Sequence, residues 1–542
     1  MRKPQFSLWL LCALSALLLS LPWLVPHTGA LALVALVPLL CAEAVIEQCR
    51  VRASWIYPAA TFVAWNAATT FWVCNATVGG GIFAVLANAA QMLLVWLLFR
   101  LARKKMGGGV LPYIFLAAMW LAWERHYFDV EISWPWLTLG GAFAQSTRTV
   151  QWYEYTGMLG GSLWIWVSNL GIFGLLVALS DGYWQRWGSL ARACATLGIT
   201  LVIAGPVVAS KMIWTSYEER SEGTVDVLVA QPNFDPYQKF QSMTQAQQTS
   251  VLLDLFGEAL AERTPGPVLL LAPETFTSDI QLNDPDRSPT LQSFRRFLGE
   301  HPGAEMLFGA STYEFFLTHA APTILARPYG EGWVVGHNSA LTVRPAGPVE
   351  LYHKSKLVVG TELTPYPGIF VPLDNWLSKK MGVSGLMGRC VGQDDVSLLH
   401  FGDQRVPLGC AVCYESVYGE YCAEYVRKGA QALTIITNDA WWGNTPGYRQ
   451  HLSYARLRAI ELRRDIARCG NTGISCFIDQ RGEILDQSQW WTRQTLSGQI
   501  NLSSEQTAFV RHGDVVGRVC TLLFLLLAAL LLVRLIVPGK KR

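Results

Sequence analysis

At 542 residues, 51% hydrophobic and only 15% charged, the chain is too apolar for an ordinary soluble protein, and a formal net charge of +3 leaves no electrostatic footprint for nucleic acid. Its 22 tryptophans fit a chain that meets membrane–water interfaces, where that side chain concentrates. The 12 cysteines form no even, closely spaced framework, which argues against a disulfide scaffold.

From the N-terminus, apolar runs cover 6–25, 29–45, 55–73, 81–99, 110–123, 155–180, 193–210 and, after a long gap, 519–538. Each approaches or exceeds the roughly 20 residues a helix needs to cross a bilayer. The fifth is short and is expected to continue past Glu124. The pattern predicts a transmembrane bundle of seven helices over 1–215 and an eighth, C-terminal span with a basic tail over 515–542. Arg2 and Lys3 ahead of an apolar core also fit a secretion signal, but six further spans follow at once. Cys12, Cys41, Cys74, Cys194 and Cys520 lie in or beside these runs, where a thiol is a small packing group.

Orientation follows from the loops. Arg2/Lys3, Arg50/Arg52, Arg100/Arg103/Lys104/Lys105, Arg186/Arg192 and Lys540/Lys541/Arg542 all fall on one side. The short loops near His27 and Asn75 hold no Lys or Arg, and the longer 124–154 loop holds only Arg125 and Arg148. Positive charge marks the cytoplasmic side, so both termini are expected inside and the 216–514 segment outside. Arg534, near the inner end of the last span, can snorkel.

Between the last two spans the texture changes. Charged residues return, with β-rich runs TVDVLVAQ (224–231), PVLLLAPE (267–274), EMLFGAST (305–312), VVGHNSALTV (334–343), VPLGCAVCYE (406–415), ALTIITND (432–439) and ISCFIDQ (474–480). Helical periodicity covers 242–263 and 449–467. Strands alternating with helices predict a layered α/β domain, large enough for a core of its own.

Three apolar stretches in this domain end on reactive side chains: Glu274 after LLLAP, Lys354 in VELYHKSKL and Cys413 in GCAVCYE. Function gathers at strand ends in α/β sheets. Taken singly, each residue is more commonly a cap, a solvated face or packing. Together they form an acid–base group, a cation for developing negative charge and a soft nucleophile. This combination resembles the carbon–nitrogen hydrolase (nitrilase) superfamily, with its Glu, Lys and Cys in that chain order. YHK (352–354), CYE (413–415), NDAWWG (438–443), RQH, ARLRAIE (455–461) and NTGIS (471–475) are similar to that superfamily's motifs across the outer domain. With seven spans before and one after, and SWPWLTLG (133–140) in the loop after the fifth, the whole chain resembles the apolipoprotein N-acyltransferase family.

The resemblance implies a four-layer αββα sandwich outside the membrane, in the periplasm of a bacterial inner membrane. It implies a ping-pong reaction in which Cys413 takes an acyl chain from a phospholipid, typically phosphatidylethanolamine. The chain then passes to the N-terminal amine of an S-diacylglyceryl-cysteine lipoprotein. Glu362, eight residues after Lys354, is expected to hold that lysine charged, while Tyr414 and Glu415 order the loop at the nucleophile. No cofactor is implied, and the expected state is a monomer. An amidase using water as acceptor is the nearest alternative. A non-catalytic scaffold or transporter is a remoter one, because few charges lie inside the spans.

The CxxC of GCAVC also fits a redox pair or half a metal site. Residues an odd number apart on a strand point to opposite faces, which separates Cys410 from Cys413. No second CxxC and no HExxH occurs, so no metal is expected. Lys354 is expected to lower the Cys413 thiol pKa, with Glu274 accepting the proton.

Where relatives carry a tryptophan after a Q-x-N exit, this chain has QPNFDPYQKF (231–240), so Phe240 or Tyr237 is expected to supply the aromatic surface. Segment 366–388, with Phe370, Trp376, Leu377, Met381, Leu386 and Met387 beside Lys379 and Lys380, reads either as a lid over a lipid entry or as a loop packed on the domain. Trp441 and Trp442 are further lipid-contact candidates.

Overall fold

The computed structural model describes residues 4–107, 109–382, 385 and 387–537. They form two compact units. One takes the chain up to Val130, Trp134–Tyr217 and the stretch from His512 onward. The other takes Glu131–Ser133 and Glu218–Arg511. Arg2, Lys3, Leu386 and the Lys540–Arg542 tail lie outside the described residues.

In the first unit every apolar run is helical: Pro4–Leu24, Val37–Gln48, Ile56–Thr70, Val78–Met106, Leu111–Tyr127, Tyr153–Ser180, Ser189–Ser216 and Val515–Ile536. Among the described residues, six segments have the length and hydropathy of a membrane span. The two that fall short, Ile56–Thr70 and Leu111–Tyr127, have 15 and 17 residues. At 1.5 Å per residue they reach about 23 and 26 Å, less than a hydrocarbon core of roughly 30 Å. They also bury polar groups. Asn66 accepts from Asn88 at 2.7 Å, and Glu124 accepts from Leu139 N at 2.7 Å. The fifth helix does run past Glu124, to Tyr127. The second run is interrupted after a 3₁₀ turn at Gly29–Leu33. Asn169 closes that break, accepting from Leu36 N and Val37 N at 2.7 and 3.1 Å and donating to Ala32 O at 2.9 Å. Without it, the buried Leu36 N–H loses its partner, whereas Val37 N and Ala32 O keep backbone bonds to Val34 O and Ala35 N.

The second unit contains strands β1 (Thr224–Gln231), β2 (Val268–Leu271), β3 (Thr277–Gln281), β4 (Ala304–Phe316), β5 (Arg327–Tyr329), β6 (Gly332–Val343) and β7 (Glu350–His353). These are followed by β8 (Leu399–Phe401), β9 (Val406–Val412), β10 (Ala432–Thr437), β11 (Ile466–Gly470), β12 (Cys476–Ile478), β13 (Ile484–Gln487) and β14 (Gln494–Asn501). One sheet runs β14-β1-β2-β4-β6-β5, with β3 beside β4 and β7 beside β6; the other runs β13-β12-β11-β10-β9-β8. β1, β2 and β4 are parallel, as are β9, β10 and β11.

Side-chain alternation builds the layers. Val225, Val227 and Val229 of β1 pack with Leu408 and Ile435 of the other sheet, forming the core between the sheets. Leu228 and Ala230 point the other way, onto Leu252 and Phe256 of helix Gln245–Ala261 and Phe294 of helix Pro289–Glu300. Cys422 and Val426 of helix Gly419–Arg427, with Leu452 and Ala459 of helix Pro446–Leu462, extend the core of the second sheet. The result is the four-layer αββα sandwich.

Two elements differ from the sequence reading. The helix expected over 449–467 stops at Leu462, where Arg463 turns with φ 49°, and residues from Ile466 become a strand inside the sheet. β9 ends at Val412, so Cys413 starts a 3₁₀ turn and is not a strand residue.

Candidate active site

Three strand ends converge here. β2 ends at Leu271, and Glu274 follows in a turn where Thr275 has φ 46°. Gly309 on β4 lets that turn approach, because a Cβ there would lie 2.6 Å from Glu274 Cα. Lys354 directly follows β7, its N–H donating to Asn338 O at 2.8 Å. Cys413 directly follows β9 with φ 53°, a strained conformation for a residue bearing a side chain.

Lys354 is 1% exposed and Glu274 6%. Lys354 Nζ lies 2.9 Å from Glu274 Oε1 and 3.1 Å from Glu362 Oε2. Asn338, which the sequence reading did not single out, donates to Glu274 Oε1 at 2.8 Å and to Glu362 Oε1 at 2.6 Å. Oε1 of Glu274 is thereby occupied, while Oε2 takes no hydrogen bond among the described residues. Glu362 Oε2 also accepts from Val358 N at 2.7 Å, which fixes its orientation. Burial alone pushes the Lys354 ammonium toward neutrality, but Glu274 and Glu362 overcome it and hold its pKa well above the usual lysine value.

The Cys413 thiol corrects an expectation. Burial raises its pKa, Glu274 raises it further, and Lys354 pulls the other way without prevailing. The net position is well above an ordinary cysteine, so the resting nucleophile is a neutral thiol. Ionising it requires handing its proton to a base as attack begins.

Glu415 is fully buried and accepts from Val412 N at 2.8 Å, Ser355 N at 2.7 Å and the Tyr352 hydroxyl, tying the residue before the nucleophile to the exit of β7. Tyr414 donates to Ser133 O at 3.1 Å, and Ser133 Oγ lies 2.6 Å from the Tyr418 hydroxyl. On the other side of Cys413, its carbonyl accepts from Ser416 Oγ at 2.8 Å and from His451 Nε2 at 3.0 Å. His451 Nδ1 sits 2.9 Å from Asp439 Oδ1, and Arg468 donates to Asp439 Oδ2 at 2.7 Å. Burial opposes charge on Asp439, yet His451 and Arg468 hold its carboxyl down to about 2.

Cys413, Asp439 and His451 form a cluster with metal-type ligand atoms within 4.8 Å of one another. Both Asp439 oxygens and both His451 nitrogens are already bonded inside the protein, Arg468 supplying the cation. Cys410 is wholly buried and its thiol is pushed up to about 12, as expected of a core residue. Both cysteines are free, although the alternation argument fails for Cys413, which lies beyond the strand.

A further residue missed in the sequence is Lys239, 4% exposed, which donates to Thr275 O beside Glu274. Burial lowers its pKa to about 8 against the support of Glu274.

Of the lipid-contact candidates, Phe240 falls in helix Pro236–Gln241, but its side chain lies outside the described residues. Tyr237 is exposed and meets Trp441 edge-on at 5.9 Å, while Trp442 packs on His451 at 5.5 Å. Segment 366–388 is mostly a helix, Pro367–Met381, and not a loop. Val371, Asp374 and Ser378 are buried, whereas Ile369, Leu373, Trp376 and Met381 are exposed. Lys380 lies 5.3 Å from the Trp376 ring.

A family model described as carbon–nitrogen hydrolase matches residues 183–508, and one described as apolipoprotein N-acyltransferase N-terminal domain matches residues 15–171. A protein of Chlorobaculum tepidum named apolipoprotein N-acyltransferase is 29% identical over 96% of this chain and 94% of its own length. One of the same name from Geobacter metallireducens is 26% identical over 96% of this chain and 95% of its own. Among solved structures, a nitrilase-superfamily protein of Saccharomyces cerevisiae covers 56% of this chain and 98% of its own length, with 13% identity and a TM-score of 0.37.

Proposed function

The chain belongs to the carbon–nitrogen hydrolase family, and we propose on that footing that its thiol chemistry serves lipoprotein N-acylation. It is a membrane protein that transfers a fatty acyl chain to the N-terminal amine of a lipoprotein. The donor is a phospholipid, phosphatidylethanolamine being the expected one, and the acceptor carries an S-diacylglyceryl cysteine.

Glu274 Oε2 takes the Cys413 proton as sulfur attacks the ester carbonyl. A C–S bond forms, and the oxyanion is met by the Lys354 ammonium and by a backbone N–H at the nucleophile turn. The proton on Glu274 passes to the departing glycerol oxygen as the C–O bond breaks, leaving an acyl thioester and a lysophospholipid. The acceptor amine then attacks the thioester and gives its proton to Glu274. The C–S bond breaks, the amide is released and the thiol takes back the proton. Glu362 and Asn338 hold Lys354 and Glu274 in place throughout. The observation that carries this reading is the buried ion pair in which Lys354 engages Glu274 through Oε1 and leaves Oε2 without a hydrogen bond among the described residues.

The catalytic unit sits on the periplasmic side and the termini in the cytoplasm. Support comes from the basic helix ends: Arg103 pairs with Glu47, and Arg534 donates to Met106 O at 3.0 Å, which puts three helix ends with their cations together. Helix Pro367–Met381, apolar on its exposed face and ending in Lys379 and Lys380, has the amphipathic character of a segment that meets lipid. The protein acts as a monomer.

Full-length protein incubated with acyl-labelled phosphatidylethanolamine and a diacylglyceryl peptide tests the acceptor. Label accumulating in triacylated peptide supports the transferase; label released as free fatty acid at the same rate with or without peptide makes it a hydrolase.

A further inference from the structure

Around Cys413 the backbone is held on both sides by buried groups. Glu415 Oε2 takes the Val412 N–H at 2.8 Å, which fixes the Ala411–Val412 peptide, one before the peptide that enters Cys413. The carbonyl leaving it is held by Ser416 Oγ at 2.8 Å and His451 Nε2 at 3.0 Å. Nε2 also lies 3.0 Å from Ser416 Oγ; with the serine hydroxyl donating to the carbonyl, Nε2 has two acceptors before it and carries a hydrogen. Asp439 Oδ1 orients the ring at 2.9 Å, and Thr437 Oγ1 donates to that same oxygen at 2.8 Å. Arg468 balances the carboxylate through Oδ2 at 2.7 Å. His451, Asp439 and Arg468 all have 0% exposure.

Burying an aspartate, an arginine and a histidine together is costly unless they pair with one another, as these do, and the histidine's outer nitrogen reaches the Cys413 carbonyl. The carbonyl belongs to a residue with φ 53°, a strained state that persists only when neighbours over-determine it. The peptide is trans and planar, so its N–H points opposite its carbonyl. Fixing Cys413 O therefore fixes the direction of Tyr414 N–H.

We propose that His451, backed by Asp439 and Arg468, is a positioning residue that locks the Cys413–Tyr414 peptide and so aims the Tyr414 N–H at the oxyanion formed on Cys413. It acts through the peptide and touches no substrate. The inference rests on the acyl-thioester reading above. It separates two reactions of the same sulfur: acylation by an ester builds an oxyanion, whereas alkylation by iodoacetamide is a direct displacement that builds none.

The test compares those two rates in detergent-solubilised full-length protein, unaltered and as His451→Ala and His451→Gln. Losing an oxyanion donor costs about 10²–10³ in rate, so His451→Ala is expected to slow thioester formation from phosphatidylethanolamine about 100-fold. Its iodoacetamide rate at Cys413 should stay within about threefold of the unaltered chain, as no oxyanion is involved. His451→Gln, with an amide N–H to offer the carbonyl, should recover part of the acylation. Equal losses in both reactions, or acylation untouched by His451→Ala, overturn the proposal. If the alanine variant does not fold, His451→Leu fills the volume without a donor and carries the same comparison. Failure of both to fold also overturns it, because the residue is then needed for the fold itself. No adduct on Cys413 of the unaltered chain would sink the thioester reading, and this inference with it.

Discussion

Asn338 and Lys354 converge on one atom: Oε1 of Glu274 accepts from Asn338 Nδ2 at 2.8 Å and from Lys354 Nζ at 2.9 Å. The same two donors meet again on Oε1 of Glu362, at 2.6 and 3.1 Å. Two carboxylates thus share one ammonium and one amide, and Oε2 of Glu274 is left for proton transfer.

Replacing Lys354 with Met leaves the buried Glu274 and the partly exposed Glu362 without their cation. Breaking a buried pair costs about 3–5 kcal/mol, which chemical denaturation of Lys354→Met should reveal. Thioester formation should fall by at least about 10³-fold, since a transition-state cation is lost as well. A variant as stable and as active as the parent would contradict this.

Asn338→Leu keeps the volume and removes the shared donor. Leaving buried acceptors short of a bond costs about 1–3 kcal/mol, and the acylation rate should fall roughly tenfold or more as Glu274 loses its fixed orientation. Asn338→Asp should be worse, because a third carboxylate enters a site with one ammonium. Rates measured in the two variants side by side check the order.

Cys413 should be a reluctant nucleophile at rest. With its thiol held well above the ordinary value, iodoacetamide alkylation should keep climbing as pH rises through 9. A rate that levels off below pH 8 would mean a standing thiolate and would contradict the neutral-thiol description.

Lys239 gives a stability signature. Its folded pKa is about 8, while the unfolded side chain titrates near 10.5. Between those values the unfolded chain binds more protons, so this residue's contribution to stability rises with pH. Over that window the gain is about 3 kcal/mol. Unfolding curves of the parent and Lys239→Met should diverge from pH 8 to 10 in favour of the parent. Parallel curves would show that the lysine titrates normally.

Much of the site was legible because apolar runs ending near Glu274, Lys354 and Cys413 mark strands entering a core, and because that set with its flanking motifs resembles a known superfamily, which alone pointed to Glu362, Tyr414 and Glu415. Seven runs read as strands each contain one, but β14 (QTLSGQIN) and β3 (TSDIQ) are too polar to announce themselves. The start of β11 was hidden inside a helical pattern: the periodicity read to 467 takes in Ile466 and Ala467, whereas the helix stops where Arg463 takes the left-handed turn. Asn338 sits mid-strand, where its type is disfavoured, and only the fold brings it to two acids far along the chain. The Cys413 thiol went the other way from expectation because burial, which outweighs the nearby lysine, is set by tertiary packing. The interrupted second span and its Asn169 bridge have the same origin.

The most direct test is to find the acyl group. Full-length protein is mixed with phosphatidylethanolamine in the absence of acceptor, digested, and its peptides weighed before and after neutral hydroxylamine. The account predicts one acyl mass on the peptide containing Cys413, removed by hydroxylamine and missing from Cys413→Ser. An acyl group on another residue, or none at any time while transfer to lipopeptide proceeds, would contradict it.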